Sequence, residues 1–173
     1  MTALPQVFVL DTGVFIEPHK RYYPFDIFPG YWDCLAHHQN RGNIITLDKV
    51  LDEINRGNDN DKLRVWAKSM PKSFFAPSGD AEIIQCYRDI VNWVQENEHF
   101  TDSAKDEFMK ADNADGFLLA YAKAKGGIVI TEEKSYPLAK SRIKIPDVGK
   151  QFGIKCCGIQ WMLRKLGACF TNH

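Results

Sequence analysis

The sequence predicts an α/β fold with a central parallel sheet, on two observations. Its apolar runs are short and solid, as in Val7-Phe8-Val9-Leu10 and Ile128-Val129-Ile130-Thr131, which is how strands buried on both faces read. Segments with apolar residues at helical spacing alternate with those runs, the pattern that places helices on the faces of a parallel sheet. No internal repeat, low-complexity tract or linker divides the chain, so residues 1–173 read as a single domain.

Val7 to Leu10 forms the first strand, and Asp11-Thr12-Gly13 ends it. Glu17 to Gly30 mixes three prolines with aromatic residues and reads as a packed irregular segment with at most a short helix. Tyr31 to Gln39 reads as a helix closed by Asn40-Arg41-Gly42. Asn43 to Thr46 is the second strand. Leu47, Val50, Leu51 and Ile54 then mark a helical face, with Thr46 as its cap, Asp48 in its first turn and Gly57 at its end. Residues 59–69 read as a short helix closed by Pro71, and Ser73-Phe74-Phe75 as an edge element. Asp80 precedes a long helix whose stripe is Ile83, Ile84, Tyr87, Ile90, Val91 and Val94. A polar stretch from Glu96 to Asp106 leads to a short helix near Lys105–Lys110, and another helix runs from Asn113 to Lys125 and stops at Gly126-Gly127. Ile128 to Thr131 is the third strand, 134–147 a basic loop, and Asp147 to Phe152 one or two helical turns. Ile154 to Cys157 suits a last strand, and Ile159, Met162, Leu163 and Leu166 mark a final helix.

The 173 residues carry 22 basic and 22 acidic side chains, for a formal net charge of zero. That balance excludes a broadly basic nucleic-acid coat and an acidic disordered tail, and leaves room for a local acidic pocket beside a local basic groove. No apolar run reaches the roughly 18–20 residues that span a bilayer, so no membrane partner is expected. Met1 to Leu10 lacks a positive n-region and a cleavage pattern, so no secretory signal is expected either. Five irregularly spaced cysteines argue against a disulfide framework and for a reducing cytoplasm. Cys156 and Cys157 have no second Cys/His pair at finger-like spacing, which argues against zinc.

Ligands of open α/β sheets bind outside the carboxyl ends of the strands, and acids gather there. Asp11 follows the first strand, Glu132 and Glu133 follow the third, and Asp52 and Glu53 lie on the helix after the second. Asp112 and Asp115 open the helix that leads into the third strand, three apart and so on one helix face, where like charges repel. The helix dipole offsets part of that repulsion and a bound divalent cation would offset more. Carboxylates without His or Cys suit Mg²⁺ or Mn²⁺. Taken singly, each acid has an ordinary use: Asp11 as a turn cap, Asp112 or Asp115 as an N-cap, Glu53 as a solvated helix residue, Glu132 and Glu133 as loop surface. Their convergence on one sheet edge points to a metal site.

The same residues resemble a PIN domain, the nuclease fold of many bacterial and archaeal toxin ribonucleases. Val9-Leu10-Asp11-Thr12-Gly13-Val14-Phe15 is similar to the family's apolar strand followed by Asp-Thr-Asn-Val. Asp48-Lys49-Val50-Leu51-Asp52-Glu53-Ile54 resembles the helix that brings the second acid, with Glu53 at its position. Ala114-Asp115-Gly116-Phe117-Leu118-Leu119-Ala120-Tyr121-Ala122 is similar to the family's Asp before an alanine-rich helix. Ile128-Val129-Ile130-Thr131-Glu132-Glu133 resembles the strand ending Thr-x-Asp, with Glu133 as the acid. Arg21 to Trp32 and the tail from Lys144 to Ala168 extend the likeness to a poorly characterised PIN-like branch.

The resemblance implies a three-layer α/β/α fold and hydrolysis of RNA to 5′-phosphate and 3′-hydroxyl ends. It implies Asp11, Glu53, Asp115 and Glu133 as catalytic residues holding one or two Mg²⁺ or Mn²⁺ ions, about 3.5–4 Å apart if two. Asp112 would be a fifth ligand or outer acid, and Thr12 and Thr131 would support the acids by hydrogen bonds. It further implies a toxin role with a cognate antitoxin protein, and a homodimer. Lys20 and Arg21 after the first strand, and Lys134, Lys140, Arg142 and Lys144 after the third, suit an RNA backbone or a solvated lysine surface equally. Tyr22, Tyr23 and Trp32 suit base stacking, with packing the commoner use.

Gly13 departs from the family's Asn, which can orient neighbouring acids where Gly cannot. The alternative is therefore a PIN-like module with weakened catalysis that binds RNA or a protein. Asp11-Thr12-Gly13 is also the aspartic-protease signature, but that all-β site needs a second copy of the motif, which this chain lacks. A phosphatase Asp-x-Asp is weaker still, because Gly13 takes the second position.

Overall fold

A computed structural model describes residues 6–58 and 61–171. Five strands form one sheet in the order β3-β2-β1-β4-β5, every neighbouring pair parallel. They are β1 (Phe8–Leu10), β2 (Ile44–Leu47), β3 (Phe75–Ala76), β4 (Ile128–Ile130) and β5 (Cys156–Cys157). Nine α-helices among the described residues flank the sheet in a three-layer α/β/α arrangement. The first four are α1 (Gly13–Glu17), α2 (Pro29–Asn40), α3 (Asp48–Asn55) and α4 (Lys62–Ser69). After them come α5 (Ala81–Glu96), α6 (Asp102–Phe108), α7 (Asp115–Lys125), α8 (Ile145–Phe152) and α9 (Ile159–Lys165). None is long and apolar enough to cross a membrane.

The solid apolar runs form strands because they are covered on both faces. Phe8, Val9 and Leu10 in β1, and Ile128, Val129 and Ile130 in β4, are all buried. Their register pairs Phe8 with Ile128, Val9 with Val129 and Leu10 with Ile130. Helix α7 lies over β1, β2 and β4, with α5 packed against it. The chain leaves α7 through Gly126 in the left-handed region at φ 74° and enters β4 through Gly127. A Cβ on Gly127 would lie 2.7 Å from Val9 Cγ2 and 3.1 Å from the Val7 carbonyl oxygen, so this tight entry needs glycine.

Several expectations change. Thr46 does not cap the second helix. Leu47 holds that position without a side-chain bond, and buried Thr46 donates its hydroxyl to the Leu10 carbonyl at 2.7 Å, tying β2 to β1. The helix expected near 105–110 begins at Asp102, because the Thr101 hydroxyl accepts from Ala104 N–H at 3.2 Å and starts it early. The turns expected from Asp147 begin at Ile145, with Pro146 in the first turn. The helix expected over 59–69 runs over Lys62–Ser69, and residues 59 and 60 lie outside the described residues.

The proline-rich segment is more ordered than expected. Helix α1 is followed by a π-helical turn over Pro18–Tyr22. Phe25 then stacks on Trp32 with ring centroids 4.0 Å apart, and Tyr23 stacks on Tyr31 at 4.7 Å. Two polar groups of this cluster are satisfied by the backbone: Tyr31 donates to the Val14 carbonyl and Trp32 to the Tyr23 carbonyl, both at 2.8 Å.

Candidate functional site

The strand order reverses at β1, so the crevice between the carboxyl ends of β1 and β4 is the switch point of this sheet. Asp11 is the first residue past β1, and its N–H still donates to the Ile130 carbonyl at 3.0 Å. The pairing holds Asp11 in the crevice, 7% exposed. Its Oδ2 accepts from the Thr131 hydroxyl at 2.8 Å, and the same Thr131 oxygen accepts from the Glu133 N–H at 3.1 Å. One side chain thus fixes both Asp11 and the turn that carries Glu133.

Helices deliver the other acids. Val50 and Ile54 bury the inner face of α3, which leaves Asp52 exposed and turns Glu53 toward the crevice. Glu53 accepts from the Thr12 hydroxyl through Oε2 and from Ala114 N–H at 3.0 Å through Oε1. It therefore joins α3 to the starts of α1 and α7. Asp115 opens α7, and the Asn113 side chain caps its N–H at 2.8 Å, which spares the Asp115 carboxylate from capping. Glu133 accepts from Ile145 N–H at 2.8 Å, and its other oxygen lies 3.5 Å from both Arg142 Nη2 and Lys144 Nζ.

The four acids act on one another. Burial pushes the Asp11 carboxyl up to about 6, against the lowering bond from Thr131 and with a further rise from Glu133 and Glu53. Burial raises Asp115 well above the carboxylate range too, helped by Asp11, Glu133 and Glu53 and opposed by the Arg142 guanidinium. The structure thus brings Asp11, Glu53, Asp115 and Glu133 into one electrostatic unit.

Among the described residues no group of three or more His, Cys, Asp or Glu side chains stands close enough to hold a metal ion. Scaffold bonds hold Asp11, Glu53 and Glu133 in place. The chemistry of the donor set still fits a hard divalent cation, since the crevice supplies carboxylate oxygens that repel one another. Burial pushes the nearby Cys156 thiol up to about 12, with Cys157 and Asp11 adding to the rise. Gly13 also borders the crevice: a Cβ there would meet Asp11 Oδ2 at 3.4 Å, an ordinary contact, so the fold has room for a side chain against that acid.

Other expected site residues lie elsewhere. Asp112 does not share a helix face with Asp115, because α7 starts at Asp115 and Asp112 belongs to the preceding turn. Its carboxylate pairs with Arg56 at 3.0 Å on the surface. Lys20, Lys134 and Lys140 are exposed, and Arg21 is exposed beside Glu17 at 3.4 Å. Arg142 and Lys144 face the acid cluster instead of standing clear of it. Tyr23 and Trp32 are packing residues, whereas Tyr22 is 56% exposed. Glu132 turns away from its neighbour Glu133 and accepts from Ile159 N–H at 2.7 Å. Period-2 alternation at a strand end is the signal that separates these adjacent glutamates.

A parallel α/β sheet with acids gathered at its switch point defines the class of this protein. Within it, the chain belongs to the family described as a domain of unknown function (DUF4411), whose model matches residues 8–170. A comparison with curated proteins gave no match.

Proposed function

We propose that this protein is a Mg²⁺- or Mn²⁺-dependent ribonuclease of PIN-like type, working in the cytoplasm. The observation that carries the reading is that Asp11, Glu53, Asp115 and Glu133, from four separate elements, lie within one another's electrostatic reach at the switch point of the sheet. The cation, when bound, supplies charge for the attacking water and the leaving oxygen. Asp11 and Asp115 offer carboxylates that burial and mutual repulsion make costly to keep ionised without it. Thr131 and Thr12 orient Asp11 and Glu53. Arg142 and Lys144, now on Glu133, suit a phosphodiester that brings its own negative charge to the crevice. Lys20, Lys134 and Lys140 add exposed cations for the RNA backbone.

Mn²⁺-dependent cleavage of a mixed RNA, compared with Asp11→Asn, tests this reading. Products with 5′-phosphate ends from the wild type alone support it, and intact RNA with both proteins sinks it. A second reading, a catalytically weakened module that binds RNA or a protein, is favoured by the cations on Glu133 and the separation of the acids. RNA bound but left intact would select it. Pairing with an antitoxin, and a homodimer, rest on the PIN resemblance alone. Absence of a growth defect on expression without the neighbouring reading frame would count against the toxin role.

A further inference from the structure

A second cleft, of about 480 Å³, is lined by Arg21, Tyr22, Tyr23, Glu132, Ile159 and Gln160. Its volume lies within the range of small-molecule sites. It shares the end of β4 with the crevice: Thr131 binds Asp11, Glu133 faces Arg142 and Lys144, and Glu132 between them turns the other way into this cleft.

Three groups on its walls have distinct chemistry. The Tyr22 ring is 56% exposed, while its neighbour Tyr23 is stacked on Tyr31. Arg21 is an exposed guanidinium whose Nε lies 3.4 Å from Glu17, an ion pair on the surface that solvent weakens and a phosphate can replace. Glu132 is partly buried and fixed, with Oε1 on the Ile159 N–H at 2.7 Å. A Cβ on Gly158 would lie 3.1 Å from that same oxygen, so glycine before α9 lets the carboxylate dock closely. An ionised carboxylate has about four acceptor sites, and Ile159 occupies one.

A flat ring, a phosphate-binding cation and a fixed acceptor form the elements of a nucleotide subsite. A carboxylate accepts and cannot donate, which discriminates among bases. The guanine edge presents N1–H and N2–H₂ side by side. Cytosine and adenine set one amino group beside a ring nitrogen acceptor, and uracil sets one N–H between two carbonyls. Those acceptors would face the carboxylate and be repelled.

We propose that this cleft binds a guanine nucleotide of the RNA, with the base stacked on Tyr22 and read by Glu132 and the phosphate held by Arg21. This rests on the ribonuclease reading and names the nucleotide that such a site would select. The test uses the full chain in EDTA, so that neither metal nor cleavage enters, with GMP, AMP, CMP and UMP as probes followed by NMR shifts or calorimetry. GMP should bind about tenfold or more tighter than UMP, and Glu132→Gln should erase that difference. Tyr22→Ala should weaken GMP about tenfold and Tyr22→Trp should restore it. The ring is on the surface, so these variants keep the fold even if the Glu132 change loosens α9.

Equal binding of all four nucleotides, no binding, or GMP binding unchanged in Tyr22→Ala would overturn the proposal. Absence of Mn²⁺-dependent cleavage in a protein that still selects GMP would count against the ribonuclease reading alone.

Discussion

At the carboxyl end of the sheet the chain buries polar groups: Asp11, Thr12 and Thr131 are all under 9% exposed, and four acids share one field. At the amino end, around Phe8 and Asn43, it opens a far larger groove of about 1240 Å³. That groove is walled by Phe28, Phe170, His37 and Arg41, among others. Among its described lining residues the larger groove has one acid, Asp33, and none of the four crevice acids. On the ribonuclease reading proposed above, volume does not locate the chemistry; polar groups kept dry at a cost in desolvation do.

The sharpest way to break this contrast is to change one residue at each end. Asp11→Asn should lower Mn²⁺-dependent RNA cleavage by about a thousandfold, the scale of several kcal/mol of lost charge stabilisation. Phe170→Ala in the amino-end groove should leave initial rates within about twofold. Equal losses would erase the distinction between the ends.

The next effect is on stability. The Asp11 pKa in the fold, about 6, lies above its ordinary value of 3.8. The folded state then holds a proton that the unfolded state releases between about pH 4 and 6. Stability from this group is present at low pH and falls as pH rises through that window. A few kcal/mol are at stake, of the order set by the shift. Urea unfolding of wild type minus Asp11→Asn across pH 4–7 reads this contribution together with the response of Asp115, and Mn²⁺ should reduce it at pH 7.

Thr131→Val should cost about 1.5–3 kcal/mol by leaving Asp11 Oδ2 without its hydroxyl donor. A smaller loss in denaturant melts would show that water replaces that bond. Arg142→Ala is the mildest of these changes. It removes the cation that lowers Asp115, and should reduce the slope of log RNA affinity against log salt by about 1. An unchanged slope would place Arg142 off the RNA path.

Much of this arrangement was legible in the sequence because burial on both faces leaves a strong signature. β1 and β4 read as solid apolar runs, and Asp11 and the pair Glu132-Glu133 follow from where those runs stop. The choice of Glu133 over Glu132, and of Glu53 over Asp52, comes from the PIN resemblance, since read singly Glu53 suits a solvated helix face. Thr46 was misread because a hydroxyl before a helix suits a cap equally well as a cross-strand bond to Leu10. Asp112 was misplaced because three-residue spacing implies a shared face only within a helix, and the turn over 111–112 ends that logic. The contact of Arg142 and Lys144 with Glu133 had no signature at all, since a loop without a repeat does not encode where it folds back.

Manganese uptake by the full chain, read by electron paramagnetic resonance, tests the central claim most directly. The wild type should take up Mn²⁺, Asp11→Asn and Asp115→Asn should lose it, and Asp112→Asn should keep it. No uptake by the wild type, or equal loss in Asp112→Asn, would contradict a cation site built from the four crevice acids.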